Sequence, residues 1–426
     1  MVFHLEKNKR KSAIAAGIIG NIMEWYDFAL YGYMASIISK LFFPNDNEIA
    51  SLLATYGVFA AGFIMRPLGS IFFGWLGDTT SRTKAMFISV AMMAIPTLTL
   101  GLLPSYKSIG ILAPILLIII RLLQGFSVGG EFSSSVTYLV ETAPKNTRGL
   151  SGSYANVGSI AGMLLGSGLA ALTTNIFDEA SLMSWGWRLP FLFGGVLGII
   201  GIWLRKNLSK SAHFQKHDKE RDKTSPIKEA FTDNIKETIQ AILVASSYGS
   251  LFYISLVFLP NWSHQYLNIP LGKAMIYNTI AMVITLFVVP FMGWISDKYI
   301  RRTHFIALSI SFFGIVGYPL LSYVSGQGIA ALILVQIVFS LLISVLCGVA
   351  PSTFVELFPA KDRLSGYSVA YNVGLGIVGG STPMISTWLI SKTDNELSLG
   401  FFVIVMAIIG VIGLVWMKDR SREKLR

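Results

Sequence analysis

Long apolar runs alternate with short polar stretches from one end of the chain to the other. Twelve runs are long enough to cross a bilayer: 13–38, 52–77, 85–103, 109–135, 150–174, 186–204, 238–261, 271–295, 304–323, 327–350, 366–390 and 399–417. Each is near the ~20 residues that a ~30 Å hydrocarbon core demands. Lipid leaves no water for unpaired backbone groups, so the runs are expected to be helices. The expected fold is all-α and polytopic, with twelve transmembrane helices in two six-helix bundles. The first half covers 1–205 and the second 238–417, followed by a basic tail at 418–426.

The long polar connection, 206–237, is expected to be a cytoplasmic linker. Inside it "SPIKEAFTDNI" sets Ser225 and Pro226 at a helix start, and Ile227, Phe231 and Ile235 follow at i, i+4 and i+8. That stripe predicts a short amphipathic helix, either a solvated linker or a regulatory element. At the N-terminus "KNKRK" and "SAIAAGIIGNIM" mimic the basic and apolar parts of a signal peptide. No A-x-A-like site follows and Glu24 interrupts the run, so an uncleaved first span is expected.

Composition agrees with the pattern. The chain is 53% hydrophobic and 13% charged over 426 residues, against about 25% charged in soluble domains. A soluble protein so apolar would expose large greasy patches. The net charge of +11 does not point to nucleic acid, because Lys and Arg cluster between the apolar runs. The N-terminal segment, the tail and every second loop hold 27 of the 34 Lys and Arg. That asymmetry puts both termini in the cytoplasm. Cys347 is the single cysteine, so an intramolecular disulfide is excluded. There is no H-E-x-x-H, and the five histidines (His4, His213, His217, His264 and His304) sit in or near loops. No catalytic or metal-binding constellation is visible, and neither an enzyme nor a cofactor is expected.

An internal repeat is the main signal. "GWLGDTTSRTK" begins at Gly74 and "GWISDKYIRRT" at Gly293, aligning Trp75 with Trp294, Asp78 with Asp297 and Arg82 with Arg301. After spans 4 and 10 come "ETAPKNTR" (Glu141 to Arg148) and "ELFPAKDR" (Glu356 to Arg363), both E-x-x-P-x-x-x-R. The following spans open "SGSYANVG" and "SGYSVAYNVG". Two motifs recurring in order half a chain apart mean a duplicated six-span unit. Acids and arginines at the cytoplasmic helix ends can bridge the halves when that side closes. The expected gate comprises Gly74, Asp78, Arg82, Glu131, Glu141, Arg148, Asp297, Arg301, Arg302, Glu356 and Arg363. The alternative is that these residues only fix topology and helix ends.

The twelve spans and the duplicated G-x-x-x-D loops resemble the major facilitator superfamily. More narrowly, "GNIMEWYDFALYG", "FIMRPLGSIFFGWLGD" and "RLLQGFSVGGEF" are similar to the metabolite:proton symporter family, which includes proline/betaine, α-ketoglutarate, citrate and shikimate transporters. The resemblance implies a proton-coupled importer working as a monomer in a bacterial inner membrane, its partners a small solute, protons and lipid. The chain departs from the family at the first loop, usually D-R/K-x-G-R, where Asp78 is followed by "TTSRTK". Span 5 lacks the Gly-Pro pair resembling the drug-exporter signature, which counts against export. The tail is too short for the heptad extension of osmosensing members, so no coiled-coil sensor is expected.

Charges within the spans need partners or a function. At ~1.5 Å per residue, Asp27 lies ~9 Å from the outer surface and Arg121 ~10 Å, close enough in level to pair. Glu24 sits a turn deeper on nearly the same face, and Arg66 falls ~21 Å from the outer side, nearer Glu131. Proton coupling needs an acid whose hold on a proton changes when an arginine leaves it. Asp27, Glu24 and Arg121 are the coupling candidates, and sugar–proton symporters resemble this chain in pairing a first-span Asp with a fourth-span Arg. Glu24 could instead simply hold Arg66 in place. Arg66 and Arg121 are candidates for a substrate carboxylate, with Gln124 as a hydrogen-bonding neighbour or helix glue. Tyr248 and Tyr253, in the aromatic run "YGSLFYISLVFLPNW", would suit an ammonium group. A zwitterion such as proline or betaine is therefore expected, with a mono-, di- or tricarboxylate or an uncoupled facilitator as alternatives.

Overall fold

A computed structural model of the chain describes residues 20–79, 82–129, 131–208, 234–327, 329–360 and 363–425. Among the described residues every regular element is helical. The first half holds α1 (20–33, then Ala35–Phe42), α2 (Glu48–Ile64 and Arg66–Thr79), α3 (Arg82–Leu102), α4 (Leu112–Ser127 and Glu131–Glu141), α5 (Arg148–Ile176) and α6 (Arg188–Leu208). The second holds α7 (Ile235–Leu267), α8 (Leu271–Lys298), α9 (Arg302–Gln327), α10 (Ile329–Leu357), α11 (Arg363–Thr393) and α12 (Ser398–Val415). Ten of these, α2 and α4 to α12, are long and apolar enough to cross a membrane, and α3 adds the apolar stretch Ala91–Leu102. Helices α7 and α10 outrun their expected spans, because the helical ladder continues past the apolar run into the polar motifs. Residues 1–19, the predicted helix at 225–235 save its last two positions, and most of the 206–237 linker lie outside the described residues.

The burial pattern inverts that of a water-soluble protein. Ile95, Phe287, Ile315, Ile408 and Trp416 are exposed, whereas Glu24, Asp27, Arg66, Arg121 and Gln124 are buried. Large apolar side chains on the outside suit lipid, and ionisable groups turn to the bundle interior. Local chemistry sets the helix details. Asn47 caps α2, its side-chain oxygen accepting from Ile49 N and Ala50 N at 3.0 and 3.2 Å. Prolines 96, 290, 319, 351 and 383 sit inside helices, where each removes a backbone donor and permits a bend.

The halves meet chiefly along α5 with α8 and α2 with α11, contacts that exchange when the two repeats are swapped. Within the first half, α2 and α4 cross backbone to backbone. A Cβ on Gly125 would lie 1.8 Å from the Gly62 carbonyl oxygen, so only glycine permits this approach. The crossing draws Arg121 of α4 toward the bundle axis.

Candidate functional site

Glu24 and Asp27, three residues apart on α1, face the interior of the first half, and neither they nor Arg66 and Arg121 exceed 2% exposure. Arg121 Nη1 lies 3.2 Å from Asp27 Oδ2, so the two groups placed at one depth by counting residues do meet. Asp27 Oδ1 accepts from Thr97 Oγ1 at 2.7 Å and Gln124 Nε2 at 2.9 Å. Gln124 also donates to Thr97 Oγ1 at 3.0 Å, so it is a neighbour of the acid before it is anything to a substrate. Thr97 on α3 escaped sequence reasoning. The available signal was a hydroxyl directly after the intrahelical Pro96, a modest one among many serines and threonines.

Arg66 opens the second segment of α2, just past a break at Met65 and beside Pro67. Its Nη1 lies 3.2 Å from Glu24 Oε1. Depth counting set Arg66 closer to Glu131, and the long arginine side chain covers the turn that separates it from Glu24. Among the described residues, Nε and Nη2 of both Arg66 and Arg121 are buried without a hydrogen-bond partner. Each guanidinium thus keeps an edge able to take another carboxylate.

Aromatic rings wall these pairs. Arg66 Cζ is 4.5 Å from the ring centres of Phe28 and Phe63 and 5.9 Å from Trp25. Arg121 Cζ is 3.9 Å from Tyr31 and 5.9 Å from Phe28. From the second half, Tyr253 stacks on Trp25 at 6.4 Å and meets Phe63 edge-on at 5.5 Å. Tyr371 stacks on Phe132 at 4.5 Å. Tyr253 immediately precedes the π-helical turn Ile254–Phe258, and Tyr371 opens the π-helical segment Tyr371–Gly379. Such widened turns re-aim side chains and recur at functional sites. Tyr248, the other candidate for the ammonium group, places its hydroxyl on Cys347 Sγ at 3.4 Å and its ring against Phe252. The tyrosine of this run that meets the charges is Tyr253.

The repeated loops form a second cluster at one end of the molecule, and there the two copies exchange partners. Arg148 of the first E-x-x-P-x-x-x-R reaches Glu356 of the second at 3.1 Å, while Arg363 of the second reaches Glu141 of the first at 2.6 Å. Arg302 bridges Glu356 and Asp297, the latter at 2.8 Å. Asp297 also accepts from Gly149 N and Leu150 N at 2.7 and 2.9 Å, so a carboxylate of one half caps the α5 N-terminus of the other. Of the two adjacent candidates, Arg301 is exposed and Arg302 is the one buried in the cluster. Gly74, Asp78, Arg82 and Glu131 lie outside the set whose side-chain surroundings are described.

Two asparagines in the repeated N-V-G segments follow the same exchange. Asn156 Nδ2 donates to Cys347 O at 2.7 Å, and Asn372 Nδ2 to Gly129 O at 3.1 Å. Each crosses to the opposite half, a role that the repeated motif could have suggested. At the far end Asn261 on α7 donates to Gly32 O and accepts from Ser36 Oγ, both at 2.9 Å. The paired charges therefore lie between contacts at both ends.

Two six-helix halves that join through exchangeable contacts around buried charges define a membrane transporter, not an enzyme. The chain belongs to the major facilitator superfamily. Residues 13–259 match the family described as sugar (and other) transporters, and residues 242–426 match the Major Facilitator Superfamily. The proline/betaine transporter of Escherichia coli (strain K12) is 34% identical over 99% of this chain and 86% of its own length. The glycine betaine/proline/ectoine/pipecolic acid transporter OusA of Dickeya dadantii is 32% identical over the same shares. In fold the chain is similar to the proton:xylose symporter XylE bound to 6-bromo-6-deoxy-D-glucose, with a TM-score of 0.73, 16% identity and 98% of each chain covered. A partially occluded inward-open XylE from E. coli gives 0.68 at 16% identity, over 96% of this chain and 98% of that one.

Proposed function

We propose that the protein is a proton-coupled symporter that imports a small zwitterion, of the proline or glycine betaine type, by alternating access. The observation that carries this reading is the pair of buried carboxylate–arginine contacts, Asp27 with Arg121 and Glu24 with Arg66, each guanidinium resting on aromatic faces. Protonation of Asp27 weakens its hold on Arg121 and frees that guanidinium for a substrate carboxylate. Thr97 and Gln124 keep the acid oriented in either state. The carrier works as a monomer in a bacterial inner membrane with both termini in the cytoplasm, so the Arg148, Glu356, Asp297 and Arg302 cluster is its cytoplasmic gate. Closure there forms ion pairs that opening must break. The proline and betaine named for the relatives support the substrate class.

A dicarboxylate is the second reading, favoured by two arginines each with an unpartnered edge. The test is uptake into proteoliposomes under an imposed pH gradient, with proline, glycine betaine, α-ketoglutarate, citrate and shikimate offered in turn. Proline or betaine should accumulate, and accumulation of none would overturn the substrate assignment. Asp27→Asn should abolish pH-driven accumulation while leaving some solute exchange. Undiminished accumulation by that variant would remove Asp27 from the coupling role and favour another acid, whereas full downhill uptake with no pH-driven accumulation in the wild type would favour an uncoupled facilitator.

A further inference from the structure

Arg66 sits in a place that suits a different cation. Its guanidinium carbon lies 4.5 Å from two ring centres, Phe28 and Phe63, and 5.9 Å from a third, Trp25. Tyr253 closes the group from the other half, against both Trp25 and Phe63. Gly380 of α11 leaves room for Phe63, since a Cβ there would come within 2.3 Å of its ring. Several aromatic faces around one positive charge is the arrangement by which proteins hold quaternary ammonium groups. Here the box holds the protein's own arginine, fixed through Nη1 to Glu24 at 3.2 Å, with Nε and Nη2 unpartnered among the described residues.

We propose that Arg66 is an internal stand-in for the cationic end of the substrate. On binding, the ammonium of a zwitterion takes the faces of Phe28, Phe63 and Trp25. Arg66 moves to the rim of the box, and its free edge takes the substrate carboxylate. A betaine or α-amino acid carries these two charges one carbon apart, so the carboxylate anchor must adjoin the box, as Arg66 does. Net charge in the box is conserved through the exchange, because one cation replaces another. The rings therefore keep a cation between them, and Arg66 gains a carboxylate as it gives up the aromatic faces. The box also sets specificity: a plain carboxylate offers the arginine a partner but leaves the rings without a cation. This rests on the zwitterion reading above.

The test compares glycine betaine with 3,3-dimethylbutanoate, its isostere with carbon in place of nitrogen and no positive charge. Each competes for binding of radiolabelled glycine betaine to the purified full chain. The wild type should prefer betaine by at least about tenfold. Phe63→Leu should bring the ratio close to one by weakening betaine more than the isostere, and Phe28→Leu, altering a second face, should do the same. Arg66→Lys should weaken both competitors and keep the preference. A preference unchanged in both leucine variants overturns the box while leaving the zwitterion reading standing. Failure of wild-type protein to bind betaine or proline overturns that reading, and the box with it.

Discussion

Asp27 has three partners on two oxygens, and they differ in what each can surrender. Arg121 carries charge, Gln124 carries two N–H donors, and Thr97 has one proton for two acceptors, Asp27 Oδ1 at 2.7 Å and Met93 O at 2.8 Å. The threonine can turn to Met93 when Asp27 is protonated, or accept from the acid. A hydrogen bond to a charged group contributes about 1.5–3 kcal/mol. Thr97→Val should therefore slow pH-driven accumulation roughly tenfold or more, measured as initial uptake in proteoliposomes, with the fold intact because the shape is kept. An unchanged rate would make Thr97 a packing residue. The pairing of Asp27 with Arg121 was legible, since residue counting fixes depth. Thr97 was not, because depth says nothing about which way a side chain turns about its helix.

Among the elements, α2 and α4 show how a glycine sets a site without touching it. The carbonyl of Gly62 occupies the space that a side chain on Gly125 would need. A Gly125→Val variant should force the two helices apart and displace Arg121 from Asp27, leaving a buried carboxylate without its counter-charge at a cost of about 3–5 kcal/mol. Loss of the monodisperse detergent-extracted protein on size-exclusion chromatography is the expected result; normal yield and uptake would show that the crossing tolerates bulk. Spans 5 and 11 carry G-x-x-x-G pairs, Gly158/Gly162 and Gly376/Gly380, a spacing that allows close packing. Gly162 and Gly380 both sit at such approaches, a Cβ reaching to 2.2 Å from Ile22 O at the first and 2.3 Å from the Phe63 ring at the second, and α7 and α11 also meet through Gly249 and Gly379. The π-helical segments around Tyr253 and Tyr371 shift the register of α7 and α11, which simple helical spacing could not foresee.

For the whole molecule, the tail packs onto the ion-pair cluster that joins the two halves. Arg148 Nη1 donates to Glu423 O at 3.1 Å, and Arg422 reaches Asp297 O and Lys298 O at 3.2 Å. Asp419 accepts from Thr303 N at 2.9 Å and from Ser421 N at 3.0 Å. Partial burial opposes its ionisation, but the hydrogen bonds from Ser421 and Thr303 outweigh it and hold the carboxyl below the ordinary Asp value. A lowered carboxyl stabilises its folded contacts above that ordinary value and loses them only as pH falls through the lowered one. Deleting the chain after Met417 should thus loosen that cluster by an amount constant between about pH 5 and pH 8. With Cys347 replaced by Ser and a cysteine placed at Ser153, alkylation should run several-fold faster in the shortened chain, at about 0.5–1.5 kcal/mol per lost hydrogen bond. Equal rates would show that the tail does not latch the halves.

The linear sequence determined the twelve spans, the duplication and the presence of acids and arginines within the apolar runs, because lipid imposes length and hydropathy on every crossing segment. It also determined which loops carry the matched motifs. Only the tertiary structure decided that the motif copies trade partners, Arg148 with Glu356 and Arg363 with Glu141, and that Arg66 lies among Phe28, Phe63 and Trp25. Those outcomes depend on the rotation and tilt of each helix, which are set by side-chain and glycine contacts between segments far apart in sequence. Hydropathy and spacing fix how deep a residue lies in the bilayer; packing fixes which neighbour it meets there.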